Sequence, residues 1–470
     1  MTSSHNSTTA TQPAITKLLQ FIQARVTARP TSDFEQFEQE VRALAMEVER
    51  EIVAAELARL DVDVPVVKLD GVIHHRVLRC EETYFGAAGE LRVERSLYST
   101  REDGTRAVCP LELRAGIAEG RWTPLAAKQA LWAVAHMTPQ DGENLFRTMG
   151  VMTPSKSSLD RLPKQLGQRW EENRLHFEEQ LREGEQIPEC AVTVAVSLDG
   201  VMLAMKDGAR VAKRALAAAR GTKMAGPTGY QEASCGTVSF FDDLGERLST
   251  IRLARMPEAK KETLKGMLRD ELADVLRRRP DLRLVKIADG AVDNWTFFRE
   301  LPKGTEVVDF YHAAEHLDAA LTAAYGETSS TGRAQFVKLR HILRYDPKGI
   351  DTVITALRHL RGKHPRREKI RTELNYFTRN RKRMRYASAA GRGLPIGSGV
   401  VEAACKTLVT QRMKRSGMRW REAGGQAILT FRGLTQSDRF ERGWQLLAAS
   451  YRGTVKLPGN AVAFRPRAAA

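Results

Sequence analysis

The chain has 470 residues, of which 42% are hydrophobic and 28% charged, a balance that is typical of globular domains and excludes a disordered chain. Its net charge of +17 predicts a phosphate-rich partner, nucleic acid above all. No apolar run approaches the roughly 18 residues of a membrane helix, and the start MTSSHNSTTATQP lacks the cationic and apolar regions of a signal peptide. The five cysteines are scattered without CxxC spacing, so we expect reduced thiols and a cytoplasmic protein. Together with the positive charge and the lack of a long apolar run, this predicts a nucleoid-associated protein with no membrane partner.

The first part of the chain predicts helices and a small β module. Apolar residues recur at three- and four-residue steps from Asp33 to Leu60, which predicts one long amphipathic helix that either packs on its own domain or forms a coiled-coil dimer. Short alternating segments from Val66 to Pro110 predict antiparallel strands. Between Thr123 and Trp170, two helices joined by a turn at Gly150 have the form of a DNA-reading helix-turn-helix, a pattern that an ordinary helical hairpin shares.

The pattern changes in the middle of the chain. Three apolar segments, AVTVAVSLDG, GTVSFFDD and GERLSTIRLA, are followed by a helix from Glu258 to Arg279 and then by alternating strand and helix. Antiparallel strands that lead into a parallel α/β arrangement match the ribonuclease H-like fold. From His312 to Arg392 the pattern is helical and basic, and a further helix follows from Ser398 to Ser416. We therefore predict an α/β core that an all-α insertion interrupts.

Two aspartates lie at the ends of predicted strands. Asp199 ends AVTVAVSLDG and Asp289 ends LRLVKIADG, each followed at once by Gly. Polar groups that meet a ligand in open α/β sheets lie where strands give way to loops, although Asp-Gly is also a common turn dipeptide. Together, in a chain that attracts phosphate, the pair predicts a site for two Mg²⁺ or Mn²⁺ ions, which serve the attacking and leaving oxygens of a phosphoryl transfer.

Such a site needs a third carboxylate. Glu402 is the only acidic residue between Glu373 and Glu422, a span that holds twelve Lys and Arg. It lies one turn into the helix that Ser398 is expected to cap, at the edge of an apolar stripe, where it can face a strand end. The alternative is an i,i+4 ion pair with Lys406, which contributes about 0.3 to 0.5 kcal/mol and does not explain the absence of other acids.

Basic residues surround this carboxylate. The span from Arg361 to Gly393 carries twelve bases against two acids, and its cations alternate with Tyr and Phe. This composition suits a nucleic-acid track with stacking sites, although the aromatics alone are typical of a core. The predicted DNA contacts are Lys213, Arg214, Arg379, Arg381, Lys382, Arg383, Arg385, Lys406, Lys414, Arg415, Arg419 and Trp420.

These motifs resemble a known family. The segments SLDG, IADGAVDNW, DFYHAAEHL and PIGSGVVEAACKTLVTQRMKRSGMRW look like the DDE transposases of bacterial insertion sequences, in the Mutator-like group and its ISKra-type branch. The resemblance covers Val192 to Leu434 and implies a ribonuclease H-like catalytic domain with a helical insertion. It also implies that Asp199, Asp289 and Glu402 form the catalytic triad and hold the metal.

The resemblance also bears on accessory residues and on zinc. Asp309 and His312 match the group's Asp/Cys-xx-His signature and are expected to be accessory to the site. Related branches carry a Cys-rich zinc ribbon in the amino-terminal module. This chain keeps only Cys80 and Cys109 there, so zinc is not expected.

The implied reaction is metal-assisted cleavage at a transposon end by water, then attack of the freed 3′-hydroxyl on target DNA. Because two ends of double-stranded DNA have to be brought together, a homodimer or larger assembly is expected. Three alternatives stay open. They are a catalytically silent DNA-binding protein derived from a transposase, a nuclease that does not join strands, and a zinc peptidase through the H-x-x-E-H pattern of His312, Glu315 and His316.

The predicted fold class is multi-domain α+β, with helical and small β DNA-binding modules before the ribonuclease H-like core. The predicted segments are 1–62 (helical, a candidate dimerisation segment), 63–110 (small β module), 111–187 (helical, a candidate helix-turn-helix), 188–310 (catalytic core, first part), 311–395 (basic helical insertion), 396–440 (catalytic core, carboxy-terminal helices) and 441–470 (tail).

Overall fold

The computed structural model describes residues 13–29, 31–100, 107–207, 209–222, 224 and 229–457. The chain divides into two compact units, of which the first consists of Met1–Glu172 with Glu441–Ala470 and the second of Asn173–Phe440. The finer boundaries predicted within these units stay predictions. No helix in the described ranges is both long and apolar enough to span a membrane.

The first unit begins with a helical hairpin, a β-sheet and four further helices. Its elements are α1 (Pro13–Thr27), α2 (Phe34–Arg59), β1 (Val66–Leu69), β2 (Val72–Gly86), β3 (Gly89–Ser99), α3 (Pro110–Ala115), α4 (Pro124–His136), α5 (Pro139–Thr148) and α6 (Lys156–Glu172). The predicted long helix is α2, which begins after Asp33 because that side chain accepts from the backbone of Gln36. Helix α2 packs on α1 and β3 of the same chain, while Phe34 and Ile52 of its apolar face are exposed. Strands β1, β2 and β3 pair antiparallel, as predicted for this part of the chain.

The helices predicted as a helix-turn-helix are α5 and α6. The first begins with a capping box between Thr138 and Asp141. Gly150 adopts φ +60°, a left-handed conformation that glycine tolerates best, and so allows the turn. The apolar face of α6 is buried, which an ordinary hairpin would also show. Its DNA-reading role stays a prediction.

The second unit is built on a five-stranded sheet. Its elements up to the last strand are α7 (Arg174–Glu183), β4 (Thr193–Ala204), α8 (Ala209–Ala219), β5 (Tyr230–Phe241), β6 (Arg247–Arg255), α9 (Glu262–Arg278), β7 (Arg283–Ala288), α10 (Val292–Glu300) and β8 (Thr305–Val308). The strand order is β6-β5-β4-β7-β8. Strands β4, β5 and β6 pair antiparallel, whereas β7 and β8 continue from β4 in parallel. The predicted succession of three strands and then alternating helix and strand is confirmed.

A set of helices follows the last strand, as predicted for the insertion. They are α11 (Phe310–Tyr325), α12 (Ser330–Tyr345), α13 (Gly349–Lys363), α14 (Glu368–Asn380) and α15 (Tyr386–Ala390). Their apolar faces join the core of the sheet in one continuous cluster, so the insertion packs on the strands rather than standing apart.

The chain then returns to the sheet and finally to the first unit. The last elements are α16 (Gly399–Ala404), a π-helical stretch (Cys405–Thr410), α17 (Gln411–Met413), α18 (Glu422–Gln436), α19 (Phe440–Ala449) and β9 (Val455–Lys456). The segment predicted as a tail therefore contains structure, because β9 pairs with β1 and completes a four-stranded sheet of order β3-β2-β1-β9. Residues 458–470 of that predicted segment lie outside the described residues.

Candidate active site at the edge of the five-stranded sheet

Three aspartates lie at the same edge of the parallel part of the sheet. Ser197 pairs with Ile287 across β4 and β7, and Ala288 pairs with Val308 across β7 and β8. Asp199 lies two residues beyond Ser197, Asp289 one residue beyond Ala288 and Asp309 one residue beyond Val308. The three aspartates therefore follow closely on the last paired residues of three neighbouring strands.

Asp199 does not end its strand, contrary to the prediction. Strand β4 continues to Ala204, and beyond Ser197 it pairs with β5 alone, because β7 has ended. Gly200 leaves room for a neighbouring side chain, since a Cβ there would lie 1.7 Å from Glu232 Oε1. The Asp-Gly sequence is therefore part of a long hairpin rather than a turn after a strand.

Asp289 follows β7 directly, and its side chain bonds the turn that leads into α10. Its Oδ1 accepts hydrogen bonds from the backbone N–H of Ala291 (3.0 Å) and from the amide of Asn294 (2.8 Å). The indole of Trp295 donates to the Asp289 carbonyl at 2.8 Å. Its other carboxylate oxygen, Oδ2, has no hydrogen-bond partner among the described residues, which leaves that oxygen available to a ligand.

Asp309 is fully buried and holds two segments together. Its Oδ1 accepts from the backbone N–H of His312 at 2.7 Å, which caps α11, and its Oδ2 accepts from the backbone N–H of Ser398. Both oxygens are thus engaged, so this residue positions its neighbours. His312 itself is partly exposed, with Nδ1 3.5 Å from Glu315 Oε2.

Glu402 lies on α16, which packs against β4 and β5. Ser398 was expected to cap this helix, but its hydroxyl instead donates to Glu402 Oε1 at 2.8 Å. The carboxylate is exposed, whereas Ala404 and Cys405 of the same stretch are buried on the sheet. Ser398 is therefore the link from Asp309 to Glu402.

Cys405 connects the far end of α16 to the sheet. Its Sγ donates to Asp199 Oδ2 at 3.7 Å. Residues three apart on a helix are surface neighbours, with Cβ atoms about 5 to 6 Å apart, so Glu402 is next to the residue that contacts Asp199. The helix that carries Glu402 is tied at its start to Asp309 and after its end to Asp199.

The stretch after α16 is π-helical, a geometry often found at functional sites. Arg432, which is 5% exposed, supplies donors to its backbone: Nε bonds the Leu408 carbonyl at 3.0 Å, and a second nitrogen bonds the Thr407 carbonyl. Burial, with a smaller contribution from the nearby Arg415, lowers the pKa of Arg432 to about 10.

The carboxylates are suited to a hard cation but do not form a closed ligand set. Across the described part of the chain, no three His, Cys, Asp or Glu side chains lie close enough together to hold a metal ion. Mg²⁺ is usually held by one or two carboxylates together with substrate phosphates. The carboxylates of Asp199 and Asp289 fit that donor set, whereas oxygen ligands of this kind do not favour zinc.

The H-x-x-E-H histidines have other partners. His316 Nδ1 lies 2.6 Å from Glu373 Oε2, and its ring stacks on Tyr376 at 3.7 Å between centroids. Lys369 also contacts Glu373, at 2.7 Å. Burial acts to raise the pKa of Glu373, but the hydrogen bonds from His316 and Lys369 outweigh it, so the pKa lies below its usual value.

This low pKa predicts a pH dependence of stability. A carboxylate whose folded pKa is lowered stabilises the fold above its unfolded pKa of about 4.3, and this contribution is lost as pH falls through the folded value. We therefore expect the free energy of unfolding to fall less on acidification in Glu373→Gln than in the unmodified chain. Urea titrations at several pH values measure this. Glu368→Gln, an exposed residue of the same helix, should retain the original slope, and an unchanged slope in Glu373→Gln would contradict the assignment.

The predicted cations of the insertion line a cleft of about 580 Å³, formed by α13, α14 and the turn that follows. Arg358, which the sequence analysis missed, joins Arg379, Lys382 and Arg385 there, and none of the four forms a side-chain hydrogen bond or a close ion pair with another described residue. Arg381 is also present, paired with Asp351 at 2.5 Å. The sequence pattern does not indicate that Arg358 lies beside these cations, because Arg358 belongs to α13 and Arg379 to α14.

Arg383 and the aromatics do not belong to that cleft. Arg383 bonds Glu306 at 2.6 Å and stacks over Trp295 at 4.1 Å, so it holds the insertion to the sheet. Phe377 and Tyr386 are 0% and 1% exposed. Of the two readings of the aromatics, the core reading holds for these two, because their rings are buried in the core cluster.

The second group of predicted cations follows α17. Lys414, Arg415 and Arg419 line a cleft of about 320 Å³ together with Tyr230, another residue that the sequence analysis missed. Lys406 is exposed on the π-helical stretch. Trp420 instead has an internal role, because its backbone forms a bridge with Met205 and its indole donates to the Met413 carbonyl at 2.8 Å.

Lys213 and Arg214 lie on α8 rather than in a loop. Lys213 is exposed and Arg214 is partly buried. The contact of these residues, and of both clefts, with DNA stays a prediction.

The comparisons with known proteins add little to this geometry. No family model matches the sequence, and no curated protein does so. Among solved structures, the Drosophila P element transposase strand transfer complex is similar at a TM-score of 0.26 and 12% sequence identity, with 75% of this chain and 86% of that chain covered. A TM-score this low supports no inference about fold or function.

Proposed function

We propose that this chain is a DNA transposase of the DDE type, with a ribonuclease H-like core. The observation that carries the proposal is the arrangement of acids at one sheet edge: Asp199 and Asp289 lie just beyond the last paired residues of neighbouring parallel strands, and the helix of Glu402 packs against β4. Antiparallel strands that lead into parallel ones, with a helical insertion before that helix, support the same reading. The residue motifs that resemble the family lie on these elements.

In the proposed mechanism, the carboxylates of Asp199 and Asp289 would hold Mg²⁺ or Mn²⁺, Asp289 through Oδ2, which has no hydrogen-bond partner among the described residues. When bound, such ions lower the pKa of an attacking water or hydroxyl and neutralise charge on the phosphate. Asp309 fixes the turn at Ser398, and this turn orients Glu402 toward the same edge. The clefts that contain Arg379 and Lys414 bind the DNA backbone and keep the scissile phosphate in place. Two copies or more would bring two DNA ends together.

One observation favours a second candidate, a catalytically silent DNA-binding protein derived from a transposase. Glu402 is hydrogen-bonded to Ser398, and the acids do not form a closed metal site in the described residues. A cleavage assay on a labelled duplex taken from the flank of this gene, with Mg²⁺, separates the two. Cleavage supports the transposase, and binding without cleavage supports the silent protein.

The cleft on the insertion predicts a specific salt dependence of DNA binding. Each cation that contacts a phosphate adds about 0.9 to the slope of log K against log salt. We expect the double variant Arg379→Gln/Lys382→Gln to lower that slope by about 1.8. Fluorescence anisotropy with a labelled duplex at several salt concentrations measures the slope. Lys338→Gln, an exposed cation of α12 outside the cleft, is the control, and an equal change there would show that the cleft has no special role.

A further inference from the structure

The two aspartates at the sheet edge differ in how their carboxylates are held. Oδ1 of Asp289 accepts two N–H donors, and its Oδ2 has none among the described residues. In Asp199 each oxygen has one donor: Oδ1 accepts from the backbone N–H of Gly200 at 2.7 Å, and Oδ2 accepts from the thiol of Cys405 at 3.7 Å. Within the described part of the chain, Cys405 alone ties this carboxylate to another element of the fold.

The thiol of Cys405 approaches the carboxylate from the buried side. Cys405 is 5% exposed and lies in an apolar cluster with Leu203, Cys235 and Leu408. Asp199 itself is only partly buried, and Cys235 is its direct partner across β4 and β5. The carboxylate is thus fixed from the inside while a cation can still reach it from the outside.

A thiol is suited to this position because it is a weak hydrogen-bond donor. A stronger donor would stabilise the free carboxylate and so compete with a cation for it. Sulfur is also a poor ligand for Mg²⁺, which prefers oxygen. The thiol of Cys405 can therefore fix the orientation of Asp199 without taking its place as a ligand.

The segment that holds this thiol also carries the third carboxylate. Glu402 lies on α16, and Cys405, three residues later, begins the π-helical stretch. Arg432, which is buried, donates to two backbone carbonyls of this stretch and so anchors it. One anchored segment therefore sets both the place of Glu402 and the orientation of Asp199.

We propose that Cys405 is a positioning residue of the active site, whose thiol holds the Asp199 carboxylate in the orientation that binds the divalent cation. This inference rests on the proposed function, because it takes Asp199 to be a metal ligand. Loss of a residue that orients a metal ligand typically lowers metal affinity by about 10- to 100-fold. Loss of the thiol should therefore weaken metal binding but still allow the reaction once the metal is bound.

The test compares Cys405→Ala with Cys235→Ala in the full chain. Each variant removes one buried sulfur from the same apolar cluster, and the two thiols lie within hydrogen-bond distance of each other, but only Cys405 bonds Asp199. Titration with Mn²⁺, followed by the electron paramagnetic resonance signal of the free ion, gives the metal affinity without DNA. Single-turnover cleavage of a labelled duplex from the gene's flank, at increasing Mg²⁺, gives the half-saturating concentration and the maximal rate constant. Thermal unfolding in EDTA gives Tm.

We expect Cys405→Ala to weaken Mn²⁺ binding, and to raise the half-saturating Mg²⁺ concentration, by about 10- to 100-fold. The maximal rate constant should be recovered at high Mg²⁺, because the lost contact acts on metal binding and not on the transition state alone. Cys235→Ala should leave both metal constants close to those of the unmodified chain. Both variants should lower Tm by a similar amount, because each loses one sulfur from the same cluster.

Two results would overturn the inference. One is a Cys405→Ala variant whose Mn²⁺ affinity and half-saturating Mg²⁺ concentration are both unchanged. The other is an equal shift in Cys235→Ala, which would show that packing of the cluster, and not the bond to Asp199, sets the metal affinity. An unmodified chain that binds Mn²⁺ but never cleaves the duplex would instead contradict the proposed function, so the two failures are distinguishable.

Discussion

Asp289→Asn is expected to abolish DNA cleavage while leaving the fold intact. The amide oxygen of Asn can still accept from Ala291 and Asn294, so the hydrogen bonds of the turn before α10 are retained. What is lost is the negative charge that would hold a divalent cation at the strand end. Because each 1.36 kcal/mol of the barrier is a factor of ten in rate, and a metal contributes several kcal/mol, the cleavage rate should fall by at least about 10³-fold.

Glu402→Gln should behave in the same way for a related reason. Its amide oxygen keeps the hydrogen bond from Ser398, but the third carboxylate is gone. Single-turnover cleavage of a labelled duplex measures both variants, and anisotropy checks that they still bind DNA. The matched controls are Asp293→Asn and Glu422→Gln, two exposed acids close in sequence to Asp289 and Glu402. Loss of activity in the controls, or its retention in the two variants, would contradict the assignment of the site.

Arg439→Leu is expected to cause a large loss of stability in the second unit. Arg439 is 3% exposed and forms a two-pronged pair with Glu271, in which a guanidinium nitrogen and Oε2 are 2.8 Å apart, and a further bond to Glu185 of 2.7 Å. Removing the arginine leaves a buried, unpaired carboxylate at Glu271, which costs about 3 to 5 kcal/mol. Urea unfolding of the full chain, followed by a probe of the second unit, measures the change.

Two further variants separate the buried charge from simple loss of contacts. Arg269 lies on the same helix as Glu271 and forms an exposed ion pair with Glu300. Arg269→Leu breaks this pair and should change the free energy of unfolding by at most about 1 kcal/mol. The double variant Arg439→Leu/Glu271→Leu should recover much of the loss, because no unpaired buried carboxylate remains at Glu271. A single variant as stable as the unmodified chain would show that the pair is not needed.

The strands and their acids were predictable because the sequence carries the relevant period. The apolar run before Asp199 and the run before Asp289 each mark a strand, and the parallel register then follows from the order of elements. The prediction was wrong in one respect, since β4 runs on past Asp199. The apolar run before Asp199 does not indicate that β7 ends while β4 continues beside β5.

The contacts that fix the site were not predictable from local patterns. Asp309 holds Ser398 across 89 positions of the chain, and Cys405 reaches Asp199 across 206. The same limit applies to the aromatics of the insertion. Alternation of Tyr and Phe with Arg is compatible with a stacking surface or with a helix packed on a core, and only tertiary burial decides between them, as it does for Phe377.

A strand-transfer assay tests directly whether the acids at this sheet edge catalyse DNA joining. A duplex that carries the inverted repeat from the gene's flank, labelled at one end, is incubated with the protein, Mg²⁺ and a supercoiled plasmid. We expect labelled DNA joined covalently to the plasmid by the unmodified chain, and none by Asp289→Asn or Glu402→Gln. Absence of joining by the unmodified chain at saturating duplex, or joining that survives both substitutions, would contradict it.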